Sequence, residues 1–127
     1  MTEVALPEAL AAVWMLAVAC LHAFVGSRTD VRPFLESDTP EPAKSTVFYC
    51  WHIVTLILLA MAGLFAISAI AGGRNDLTWT ATSISLAFAI LGFFIGAMRR
   101  QSLITKMPQG FLFLVSTALG GWALITV

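Results

Sequence analysis

Four long apolar runs, each nearly free of charge and separated from the next by a polar break, limit this chain more than any other feature. From Ala9 to Gly26 there are 18 residues without Asp, Glu, Lys or Arg, close to the ~20 that an α-helix needs to cross a hydrocarbon core of ~30 Å. Comparable runs follow from Val47 to Ala71, from Leu77 to Met98 and from Gly110 to Val127. A soluble domain of 127 residues that is 59% hydrophobic and 11% charged would leave much of that apolar surface in water. The expectation is an all-α membrane protein, one domain over residues 1–127, with four transmembrane helices at about 8–26, 43–72, 77–99 and 109–126. Two of the three connections are short, which favours an antiparallel up-down bundle.

Local signals set the ends of these helices. Met1 to Glu8 carries Glu3 and Glu8 and no lysine or arginine, the wrong charge for a secretory leader, so the first run reads as a retained helix. Pro7 suits a first helical turn, and Gly26-Ser27 reads as the end of that helix. Residues 27–45 read as the one substantial loop, holding Arg28, Asp30, Arg32, Glu36, Asp38, Glu41 and Lys44 together with Pro33, Pro40 and Pro42. Within it, Arg32 to Glu36 reads either as a short interfacial element or as solvated loop. Thr39 before Pro40, or Glu41 before Pro42, is placed to start the second helix ahead of its apolar part. Gly72-Gly73 suits a left-handed helix end, Asn75 or Asp76 an N-cap, and Arg99-Arg100 the negative end of a helix dipole.

Orientation follows from the cations. Arg28, Arg32, Lys44, Arg99, Arg100 and Lys106 fall on one side of the expected bundle and Arg74 alone on the other. The positive-inside rule then places loops 27–45 and 100–108 in the cytoplasm and both termini outside, as in a bacterial inner membrane. Tyr49 and Trp51 fall at the inner interface, Trp79 and Trp122 at the outer one, and Trp14 near mid-membrane.

The chain has two histidines and two cysteines, paired as Cys20-Leu21-His22 and Cys50-Trp51-His52. With the first two helices antiparallel, Cys20 should lie level with His52 and His22 level with Cys50. His22 and His52 are thus candidate cofactor ligands near the inner interface, for a haem, a metal or a quinone headgroup. Cys20 and Cys50 are weaker metal candidates, because residues two apart on a helix diverge by about 200° and the two pairs cannot face one centre. A structural role, with each histidine bonded to a nearby carbonyl or hydroxyl, is the alternative.

Gly92-Phe93-Phe94-Ile95-Gly96 is a Gly-x-x-x-Gly motif, prolonged by Ala89, Ser85 and Ala81 into a stripe of small residues made for close helix contact. Phe93, Phe94, Phe111 and Phe113 read as filler or lipid contact. Zero net charge, with no basic run beyond Arg99-Arg100, excludes nucleic acid as a partner. Between Ala9 and Val127 no apolar run contains an acid or a base, so the carboxylate needed for proton-coupled export is missing, and no catalytic constellation stands out. The partners expected are the lipid bilayer and either a second membrane protein or another copy of this chain. A non-enzymatic accessory or interaction protein is the leading expectation. A histidine-dependent cofactor protein comes second. A neutral-solute channel comes third, with Ser68, Thr82, Ser83, Ser85, Ser116 and Thr117 as its sparse polar path.

Overall fold

The computed structural model describes residues 5–106 and 108–126. All regular structure among them is helical. Helix α1 (Leu6–Cys20) runs without a break into a π-helical stretch over Leu21–Val31 and then into α2 (Arg32–Leu35), and α3 (Glu41–Ile70), α4 (Asn75–Met98) and α5 (Gln109–Thr126) follow. Four of the resulting helical runs are long and apolar enough to cross a membrane: Leu6–Leu35, Glu41–Ile70, Asn75–Met98 and Gln109–Thr126.

The first run is longer than its sequence signals predict. Gly26-Ser27 does not end it, and the expected loop over 27–45 contracts to a turn after Leu35 that closes at Pro40. The reason is tertiary. A Cβ on Gly26 would lie 2.8 Å from the ring of Trp51, and Ser27 Oγ accepts a hydrogen bond from Trp51 Nε1 at 3.1 Å. The Gly-Ser pair serves as a contact face for α3, so the chain stays helical beneath it. The backbone accommodates this by widening to i→i−5 hydrogen bonds, such as Arg32 N to Ser27 O. Pro33, which has no N–H, sits where that ladder changes back to α. Arg32 and Glu36 pair at 2.8 Å across the last turn, and Ser37 Oγ, bonded to Phe34 O at 2.6 Å, closes it.

Helix α3 starts at Glu41, with Pro40 at its N-cap and Pro42 in its first turn, well ahead of the apolar part that opens at Val47. It ends as Gly72-Gly73 predict. Both glycines have positive φ, 76° and 88°, and Gly73 N donates to Ser68 O at 2.9 Å in a Schellman closure. Neither Asn75 nor Asp76 caps α4. The N-cap position is Arg74, whose N–H donates to Ser68 Oγ at 2.8 Å from across the turn. Asp76 instead pairs with Arg74 at 2.7 Å. Helix α4 ends in a second Schellman closure, Gln101 N to Gly96 O at 3.0 Å, with Arg100 at φ 51° in the place glycine usually takes.

Consecutive long helices run antiparallel. Ala5 N donates to Ala69 O at one end of the first pair, and His22 meets Trp51 near the other. Gly92 abuts Gly110, and Thr82 abuts Gly120, in the second pair. Contact is heaviest between α1 and α3 and between α4 and α5, and α1–α5 and α3–α4 seams complete the ring. The interior holds Ala11, Met15 and Val18 from α1 with Leu58, Met61 and Phe65 from α3. Its α4 side is lined by the small residues Ala81, Ser85, Ala89, Gly92 and Gly96, all buried. Leu10, Val13, Leu56, Ile67, Ile90 and Ile125 point outward. Small residues thus line the α4 side of the interior while large aliphatic side chains cover much of the outside of the four long apolar helices.

Candidate functional site

A groove of about 620 Å³ opens at the end of the bundle opposite the Gly72–Arg74 turn. Val18, Leu21, Val54, Leu58, Leu112 and Phe113 form apolar walls, and His22, Thr29, Asp30, Lys106 and Gln109 bring polar groups to it. The π-helical stretch supplies six of the lining residues, in pairs at 21/22, 25/26 and 29/30. A stretch of π-helix is rare and concentrates at functional sites.

Trp51 is the centre of the arrangement. Its ring stacks on that of His22 with centroids 3.9 Å apart and planes at 18°. His22 Nε2 lies 3.2 Å from Trp51 O, and since a carbonyl only accepts, Nε2 carries the hydrogen of that bond and Nδ1 is the ring nitrogen left for other partners. Thr55 Oγ1 donates to the same carbonyl at 3.1 Å. Gly26 gives the indole room, and Ser27 fixes its N–H.

The structure brings His22 to Trp51 rather than to His52. His52 is exposed on α3 and meets Phe48 of its own helix edge-on, with centroids 4.5 Å apart. Cys20 and Cys50 are both exposed free thiols. Among the described residues no group of three or more His, Cys, Asp or Glu is placed to hold a metal ion. The small-residue stripe of Ser85, Ala89, Gly92 and Gly96 is buried, with Gly92 against the backbone of Gly110 on α5. Trp14, half-buried within the first span, donates Nε1 to Leu112 O at 2.9 Å, which satisfies its indole inside the bundle.

Two features escape the sequence patterns. Trp51 reads as an interfacial aromatic, yet it lines the groove and stacks on His22, a role set by its contacts with Gly26 and Ser27 on another element. Glu8 falls at the expected start of the first span and lies in the first turn of α1, where it is 1% exposed although its charge argues for water. The apolar run from Ala9 is free of acids, but the helix that contains it is not.

Comparison with protein-family models, with curated proteins and with solved structures gives no match to this chain.

Proposed function

We propose that this chain is a small integral membrane protein that binds without catalysing, and that it holds an amphiphile with a compact polar head, a quinone or a lipid, in the His22–Trp51 groove. One observation carries the reading: the groove joins apolar walls to a polar mouth, the division an amphiphile requires. His22 offers Nδ1 to a head group, while Asp30 and Lys106 supply charge of both signs nearby. A haem or metal shared by His22 and His52 is less favoured, because His22 is engaged by Trp51 and His52 faces outward. An accessory protein that docks on a partner through its small residues is also less favoured, because α5 covers that stripe.

The groove sits at the cation-rich end, with Arg28, Arg32, Lys44, Arg99, Arg100 and Lys106. Under the positive-inside rule that end is cytoplasmic, in a bacterial inner membrane, and both termini lie on the other side. The head group would then lie at the inner leaflet.

The test is extraction and identification of small molecules that remain with gently solubilised protein. Wild-type chain should retain a defined quinone or lipid, and Val54→Trp, which fills the groove, should lose it. Equal retention by both proteins would sink the reading.

A further inference from the structure

The polar mouth of the groove has two unlike sides. The π-helical stretch brings Thr29 and Asp30 to it, and the segment leading into α5 brings Thr105, Lys106 and Gln109. On the first side the hydrogens are committed within the chain. Thr29 Oγ1 donates to Val25 O at 3.2 Å, the Nε2 hydrogen of His22 goes to Trp51 O, and Trp51 Nε1 donates to Ser27 Oγ. A carboxylate only accepts, so Thr29 and Asp30 offer a ligand oxygen lone pairs. Lys106 is the opposite case, an ammonium with three donors and no lone pair.

Neither of these charges is spent inside the molecule. The salt bridges among the described residues join Arg32 to Glu36, Lys44 to Glu41 and Arg74 to Asp76, and none reaches Asp30 or Lys106. Residues 1–4 precede Ala5, which bonds Ala69 at the far end of the bundle. From there α1 carries the chain roughly 24 Å to Leu21, whereas four extended residues reach at most about 14 Å. Met107 has no charge, and Val127 follows the far end of α5. One groove therefore holds a free negative group on one side and a free positive group on the other.

That division discriminates among amphiphiles. A quinone presents carbonyl oxygens, which Lys106 can bind but which would meet Asp30 acceptor to acceptor. An anionic phospholipid without a cationic nitrogen satisfies Lys106 and leaves Asp30 facing like charge. A zwitterionic phospholipid brings a phosphate for Lys106 and a cationic nitrogen for Asp30. The substituents on that nitrogen then matter. A primary ammonium has N–H groups to give to the oxygens of Asp30 and Thr29. A trimethylammonium has none and depends on open aromatic faces, and one face of Trp51 is covered by the His22 ring 3.9 Å away.

We propose that the groove selects a phospholipid whose headgroup ends in a primary ammonium, the ethanolamine type. Asp30 and Thr29 accept from the ammonium, Lys106 donates to the phosphate, and an acyl chain starts along Val18, Leu58 and Leu112. The proposal rests on the reading that the groove holds an amphiphile and specifies which one.

Competitive retention tests it. The full-length chain is equilibrated in detergent micelles containing equal amounts of phosphatidylethanolamine, phosphatidylcholine and phosphatidylglycerol with identical acyl chains, together with a ubiquinone, then repurified and its bound lipids counted. The amount kept by wild type and lost by Val54→Trp is the groove-bound fraction. Ethanolamine and choline lipids have the same net charge, so attraction to the cation-rich end cancels in their ratio. In wild type that ratio should favour ethanolamine by about fivefold, the upper range for an exposed ion pair. Asp30→Asn should bring it to about one, Asp30→Glu should keep it, and Lys106→Gln should lower both lipids while leaving the ratio. A groove-bound fraction made of quinone or phosphatidylglycerol, or an ethanolamine preference that survives Asp30→Asn, would overturn the headgroup assignment and leave the amphiphile reading standing. No groove-bound fraction at all would overturn both.

Discussion

Single residues decide more here than their types announce. Arg100 holds φ 51°, a conformation that costs a side chain with a Cβ roughly 1 kcal/mol and glycine almost nothing. Arg100→Gly should raise unfolding stability by about 0.5–1 kcal/mol, measured in detergent against denaturant. Gly26 works in the other direction. Its Cβ position is occupied by the Trp51 ring, so Gly26→Ala should displace the indole, break its bond to Ser27 and change the Trp fluorescence maximum. An unchanged spectrum would count against the contact between Gly26 and the Trp51 ring. The role of Gly26 is not legible in sequence, because it depends on which residue of another element arrives there, and that of Arg100 is not because the closure of α4 puts an arginine where glycine usually stands.

At the level of elements, the helix count and the α3 termination are legible, since apolar run length and Gly72-Gly73 act locally. The overrun of the first helix past Gly26 is not, because a contact with Trp51 overrides a local stop signal. The Gly-x-x-x-Gly stripe was readable as a packing face, and the structure supplies its partner. Gly92→Ala should force α4 and α5 apart, since the new Cβ would sit 2.8 Å from the backbone nitrogen of Gly110; a loss of about 1–3 kcal/mol is expected. Gly63 provides the control. A Cβ there meets nothing within 4 Å, so Gly63→Ala should stabilise α3 by about 0.5–1 kcal/mol. Matching effects at the two positions would mean that α4 and α5 are not in the close contact described.

For the whole molecule, the order of apolar runs and polar breaks predicts four apolar helices, while orientation rests on the distribution of seven cations. A membrane-impermeant maleimide applied to intact cells should label Asn75→Cys and spare Ser102→Cys in a background without Cys20 and Cys50. The reverse pattern would invert the topology.

The two antiparallel pairs also meet differently from the way they are built. Each hairpin is closed by its own contacts, and the join between them at Gly73 is bridged by Ser68, whose hydroxyl reaches past residues 73 and 74 to bond the nitrogen and the carbonyl of Arg74 and the hydroxyl of Thr78. A gene cut at that point would therefore encode two fragments, 1–73 and 74–127, that carry a ready-made recognition element on either side of the break. Expressed together, they should co-purify as a non-covalent pair, and Ser68→Ala should weaken that reassembly far more than it weakens the uncut chain.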